Sequence, residues 1–338
     1  MTGPGLEQGV SAGAVAPLAL VAVLVLVLLA SAVLGPRVVR AATPALVRAP
    51  RAALGLLMGG VILWTTSLLA LGPLLAWVIT GPGILPEPAT RVCQACVQAA
   101  NPFLAGQIDA GVPAVLLIAP SVLAGGLLVA AVARDWRRRD RASRAAARTV
   151  LAGGSRQRVL GYDVVVVPDE RPLALTFPAR HGGIALSTGT LRLLGPEELH
   201  AVLAHEAAHR RQHHHALEAV ASSLGRHLRW VPLVAAVASA LPGYLEIAAD
   251  DAARRRTGTV ALVSALAQLG ERAAPGLLTE PGAVLHAAGP ERIKHLVQPA
   301  RGWAGMVPVA GFLLVLTALS TVGASIGVPY AVAVLHGC

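Results

Sequence analysis

Residues 195–209, near the middle of the chain, have the sequence GPEELHAVLAHEAAH. Proline fits the first position of a helix because its missing N–H would have no partner there, and glutamates suit the positive end of the helix dipole. We therefore predict a helix that begins at Pro196 and continues to the end of this stretch. Upstream, the β-branched run Val164–Val167 and the short segments 173–177 and 183–187 are separated by proline and glycine turns. They predict a small sheet of three strands.

Within the predicted helix, His205-Glu206-Ala207-Ala208-His209 follows the pattern His-Glu-x-x-His. Residues four apart share one face of a helix, so both imidazoles can bind one Zn²⁺ through nitrogen. Glu206 lies beside that face, where it can hold a water molecule and take its proton. The pattern predicts His205 and His209 as metal ligands and Glu206 as the catalytic general base.

A catalytic zinc site needs a third protein ligand and one open position. Downstream, Glu246 is the preferred third ligand, and Asp250 follows one turn later, where it can support the metal-binding face. The competing donors are the histidines at 213–215, of which His213 lies four residues beyond His209. Three ligands from one helix would fit a tetrahedral ion poorly. We therefore expect the histidine cluster at an exposed end of the helix.

Composition predicts that much of the remaining chain lies in lipid. Of 338 residues, 55% are hydrophobic and 14% are charged, whereas about 25% of residues are charged in soluble domains. This composition excludes a disordered chain, a fibre and a single soluble globule. Uncharged runs long enough to cross a hydrocarbon core of about 30 Å occur at Ala14–Leu34, Ala52–Thr80, Gly111–Ala133 and Met306–Leu335. A shorter apolar segment, Trp230–Leu241, is expected to be a buried helix or a re-entrant, membrane-associated helix, and its length leaves both open.

The arginines that produce a net charge of +10 predict the orientation of these spans. Four arginines lie between residues 37 and 51, and an arginine-rich run covers Arg134–Arg141, whereas the loop Gly81–Ala110 carries little charge. By the positive-inside bias, both basic segments are cytoplasmic and both termini lie outside. The chain then divides into a membrane region with three spans (1–133), a cytoplasmic domain (134–305), and a C-terminal span with an outer tail (306–338). We interpret the basic run as a topology signal that contacts anionic lipid, with no direct binding of nucleic acid.

The cysteines belong to the predicted outer side. Cys93 and Cys96 form a Cys-x-x-Cys pair in the outer loop, and Cys338 is expected on the same side. An oxidising exterior favours a small structural disulfide, and a redox switch is the alternative.

The two zinc motifs and their surroundings resemble the BlaR/MecR-type membrane metallopeptidases, relatives of HtpX and of the CAAX prenyl proteases. The resemblance is carried by His205–His209, Glu246–Asp250, residues 175–181 (LTFPARH) and 184–189 (IALSTG), with a weaker likeness at Pro290–Ile293. It implies an α-helical integral membrane protein with an α+β zincin-like (gluzincin) metalloprotease domain on the cytoplasmic side of a bacterial plasma membrane. The best-known members cleave a BlaI-type winged-helix repressor. They also carry a penicillin-binding domain after the last span, which this sequence does not, so the resemblance does not imply β-lactam binding.

These residues together predict a membrane-embedded endopeptidase with one catalytic Zn²⁺ and a protein substrate, acting in signal transduction. An HtpX-like quality-control protease is the alternative. A metal sensor or transporter would need ionisable groups within the spans, and the four predicted spans contain none. We expect the strand at 183–187 to form the sheet edge that binds substrate. His227, Tyr244 and Arg254 are unranked candidates for stabilising the oxyanion.

Overall fold

The computed structural model describes residues 12–80, 114–271 and 305–335, and these are mostly helical. The helices are α1 (Ala12–Leu46), α2 (Pro50–Thr80), α3 (Ala114–Val150), α4 (Thr188–Leu193), α5 (Pro196–Arg211), α6 (His214–His227), α7 (Pro232–Thr257), α8 (Thr259–Glu271) and α9 (Met306–Leu335). Between α3 and α4 lie the strands β1 (Ser155–Val159), β2 (Tyr162–Val167), β3 (Ala174–Thr176) and β4 (Ile184–Ser187). The cysteine pair, Cys338, the predicted outer loop Gly81–Ala110 and the segment Pro290–Ile293 lie outside the described residues.

The chain divides into two compact units. One comprises Met1–Pro36, Gly59–Ala130 and Ala310–Cys338, and the other comprises Arg37–Met58 and Ala131–Val309. In the first unit, the indole N–H of Trp64 on α2 donates to the Leu28 carbonyl of α1 over 3.1 Å. Gly72 of α2 lies directly against Ser121 of α3, so the missing side chain allows the two helices to approach closely. The second unit contains the sheet and all of the predicted site residues.

Several helices are long and apolar enough to cross a membrane. The candidates among the described residues are Ala19–Leu46, Pro50–Ala76, Val115–Val150 and Pro232–Thr257. The first three overlap the predicted spans. α3 is the clearest case, because none of its most apolar window is buried inside the protein, and Leu123 and Val129 are 64% and 69% exposed. Such an exposed apolar surface is typical of a helix that associates with a membrane.

Of the two remaining apolar segments, only the shorter one differs from the sequence prediction. Trp230–Leu241 was expected as a short helix, but most of it forms the first part of the 26-residue α7. The C-terminal segment forms one helix, α9, with the same bounds as the predicted span, Met306–Leu335. The division into domains and the orientation of the termini stay predictions.

The sheet corrects the predicted strand order. Its order is β1–β2–β4–β3, with β2 and β4 parallel and the other pairs antiparallel. β1 adds a fourth strand that the hydrophobic pattern did not reveal, because its sequence SRQRV is polar and mostly exposed. Residues 183–187 do not form the edge, because β4 fills the gap between β2 and β3 and all its residues are buried. The edge strands are β1 and β3.

The core of the second unit fixes α5 between the sheet and α7. Apolar side chains of β2, β4 and α5 pack together with those of α8, including Val166, Leu186 and Leu203. At its start, α5 is held by Glu198, whose carboxylate accepts the Gly195 N–H over 2.7 Å. Between α5 and α7, one buried cluster consists of small side chains alone: Ala208, Ala249 and Ala252. Small residues allow close approach of the two helices that carry the predicted metal ligands.

Candidate metal centre

The structure brings the three predicted metal ligands together. Glu246 of α7 places Oε2 at 3.5 Å from His205 Nε2 and Oε1 at 3.4 Å from His209 Nε2. The two Nε2 atoms on α5 are 3.0 Å apart. A tetrahedral zinc ion with bonds of about 2.0–2.1 Å spaces its ligand atoms about 3.3–3.4 Å apart. The donor set and its spacing therefore fit Zn²⁺, with His205 and Glu246 buried and His209 partly exposed.

Asp250 contacts the side of His205 that faces away from this cluster. Its Oδ1 lies 2.9 Å from His205 Nδ1, so the imidazole is held between two carboxylates. Burial lowers the pKa of His205, but the Asp250 and Glu246 carboxylates outweigh burial and raise it to about 10. At His209, burial and the nearby charge of His205 lower the pKa to about 3. Without a metal ion, the pair therefore holds one proton more than two neutral imidazoles at neutral pH, and zinc binding must displace this proton.

The histidines beyond α5 do not form the exposed cluster that the sequence predicted. His213 is exposed, but His214 is only 2% exposed and its Nδ1 lies 3.0 Å from His209 Nδ1. The expectation failed because it extended the helix through this segment, whereas α5 ends at Arg211. His213 then adopts a left-handed conformation with φ of 53°. This turn starts a new helix and directs His214 back towards the ligands.

Glu206, the predicted general base, is buried against the edge strand β3. The hydroxyl of Thr176 donates to Glu206 Oε2 and lies 3.1 Å from the Glu206 carbonyl oxygen. The sequence prediction does not include this contact, and in it Thr176 belongs only to a segment that carries the family resemblance. The sequence does contain one indication that Thr176 has a polar partner, because it is a polar residue between the apolar Leu175 and Phe177.

The three oxyanion candidates have partners away from the cluster. His227 Nε2 lies 3.1 Å from Asp135 Oδ2, and Arg254 pairs with Asp251 over 2.7 Å. The Tyr244 hydroxyl is 3.5 Å from a threonine of α1. The geometry gives no reason to prefer one of them.

Comparison with known proteins identifies the region that holds this centre. No curated protein and no solved structure matches the chain. Residues 135–269 match the model of peptidase family M48, over about two fifths of the sequence. His205, His209 and Glu246 all lie within the matched residues. The match supports assignment of this region to the M48 metallopeptidases.

Proposed function

We propose that the chain is a zinc endopeptidase of a bacterial plasma membrane that cleaves a cytoplasmic protein. The observation that carries the proposal is the three-donor cluster of His205, His209 and Glu246 inside the region that matches peptidase family M48. The apolar helices support attachment to a bilayer. The placement of arginines supports a cytoplasmic active site.

The residues around the cluster have distinct roles in peptide hydrolysis. When held by the three donors, Zn²⁺ supplies a Lewis acid that polarises the scissile carbonyl and lowers the pKa of water towards about 7. Glu206 takes the proton of the attacking water and passes it to the leaving amine. Thr176 fixes one carboxylate oxygen of Glu206. Asp250 orients His205 so that Nε2 faces the donor cluster.

The substrate backbone binds along β3 in this proposal. In the described sheet, β3 pairs with β4 on one side and is an edge strand. An extended peptide can add to such an edge as a further strand. Because Thr176 of β3 contacts Glu206, a peptide bound there lies beside the general base.

We further propose that the substrate is a winged-helix transcriptional repressor of the BlaI type. The overall resemblance to the BlaR/MecR-type membrane metallopeptidases supports this choice, and so does the predicted cytoplasmic position of residues 134–305. A regulatory protease differs from a quality-control protease in substrate range. The first cuts one folded partner at a defined bond, whereas the second degrades loosely folded proteins in general.

The test compares the purified wild type with Glu206→Gln in detergent. Bound metal is quantified, and cleavage of casein and of a candidate repressor is followed. We expect zinc in both proteins and cleavage by the wild type alone. Glu197→Gln is the matched control, because Glu197 is exposed on the same helix. Unchanged cleavage by Glu206→Gln would overturn the assigned base, and casein degradation would favour quality control over repressor cleavage.

Orientation is tested separately by labelling cysteines in intact cells. In a variant with Cys96→Ser and Cys338→Ser, which leaves the Cys93 thiol without a disulfide partner in the chain, a membrane-impermeant maleimide should label Cys93 from outside the cell. Labelling only after permeabilisation would contradict the proposed orientation.

A further inference from the structure

We infer that His214 is a positioning residue that holds the metal ligand His209 in its binding orientation. The inference rests on the proposed zinc site. His214 is the first residue of α6 and is almost completely buried, although histidine is a polar residue. A buried imidazole needs hydrogen-bond partners, and the partners of His214 connect it to the donor cluster.

The contacts of His214 form a chain that ends at the predicted ligand. Its Nδ1 lies 3.0 Å from His209 Nδ1, and its Nε2 lies 3.3 Å from Gln212 Oε1. The two rings are nearly perpendicular, at 88°, with centroids 4.7 Å apart. The Nε2 atom of His209 faces the donor cluster, so the contact with His214 occupies the other nitrogen of the same ring.

The positions of the hydrogens follow from this order of atoms. A neutral imidazole that offers the Nε2 lone pair to a metal carries its hydrogen on Nδ1. His209 Nδ1 therefore donates, and His214 Nδ1 accepts. The hydrogen of His214 then lies on Nε2, where the Gln212 carbonyl oxygen accepts it. In this arrangement, each of the two contacts of His214 joins one donor to one acceptor.

Each histidine ligand thus has its own support. His205 is held by the carboxylate of Asp250, and His209 is held by the imidazole of His214. Metal-binding histidines need such a partner to fix the ring and its tautomer, and loss of the partner typically weakens metal affinity about 10- to 100-fold. The left-handed turn at His213 places His214 for this role.

The experiment measures zinc affinity of the full-length protein in detergent, by competition with a fluorescent chelator. His214→Leu should bind zinc about 10- to 100-fold more weakly than wild type. The Co²⁺-substituted variant should show altered visible absorption bands, since the His209 ring is no longer held. His214→Asn should recover most of the affinity, because its carbonyl oxygen can replace Nδ1 as acceptor. His214→Gln should not, because its longer side chain places the carbonyl near the Nε2 position.

The outcomes separate this inference from the proposed function. A wild type that binds no zinc contradicts the proposed function itself. A wild type that binds zinc tightly, with equal affinity and an unchanged Co²⁺ spectrum in His214→Leu, overturns the role of His214. If His214→Leu fails to fold, the comparison of His214→Asn with His214→Gln replaces it. Equal zinc affinities of these two variants also overturn the role of His214. His213→Asn is the matched control and should bind zinc like the wild type, because asparagine tolerates the left-handed conformation.

Discussion

The contact between Thr176 and Glu206 makes Thr176→Val the sharpest test of the assigned general base. Valine has nearly the shape of threonine, so the buried strand β3 keeps its packing and only the hydroxyl is lost. A hydrogen bond to a charged group contributes about 1.5–3 kcal/mol. If Thr176 holds the carboxylate in its reactive orientation, losing that energy lowers the rate about 10- to 150-fold. The loss should appear in kcat and kcat/KM alike, because Glu206 acts in the chemical step.

The assay follows cleavage of the best substrate of the wild type, together with bound zinc and thermal stability. Thr176→Ser is the control, since it restores a hydroxyl at the same position and should keep most of the activity. Zinc content should be unchanged in both variants, because Thr176 contacts the base and not the cluster of metal donors. The reasoning is refuted if Thr176→Val, with full zinc content, cleaves within about twofold of the wild type.

Further predictions concern metal binding and helix packing. Asp250→Asn should weaken zinc binding about 10- to 100-fold in a competition assay, whereas Asp251→Asn, whose carboxylate pairs with arginines, should not. At pH 5.5, calorimetry in two buffers should find about one proton released per zinc bound, because the histidine ligands have pKa values of about 10 and 3. Two histidines with the ordinary pKa of about 6.5 would together release about 1.8 protons per zinc at this pH. A measured value near two protons would therefore contradict these pKa shifts. Gly72→Val should lower the free energy of unfolding by about 1–3 kcal/mol, because a side chain there clashes with Ser121. Gly59→Ala should leave the free energy of unfolding nearly unchanged, because the added methyl group enters open space.

The donor set could be proposed from the sequence because each part has a local signature. His205 and His209 lie four residues apart, which fixes their common face once the helix is predicted. The helix itself is marked by Pro196 and the following glutamates. Glu246 is 37 residues beyond His209, so helix periodicity cannot relate the two. Its place near the histidines was indicated by the small residues around it, which allow α7 to approach α5.

The features that sequence reasoning missed depend on how separate segments are arranged. The pattern in 183–187 predicts a strand, but its place in the sheet follows from a crossover that puts β3 beyond β4. His214 was misplaced because one residue, His213, leaves the helical conformation. Thr176 is 30 residues from Glu206, so their hydrogen bond exists only after β3 packs on α5.

α7 shows how packing and membrane insertion can produce the same composition. By length and composition, Pro232–Thr257 can cross a membrane, yet half of its most apolar window is buried inside the protein, against none for α3. Its alanines near the site line the contact with α5, and Glu246 and Asp250 stand among them. A surface that faces lipid does not require small residues, because leucine or valine would cover it equally well, whereas close helix packing does require them. Ala249 and Ala252 are therefore explained by the need to bring Glu246 to His205 and His209, and hydropathy alone does not distinguish helix packing from membrane insertion.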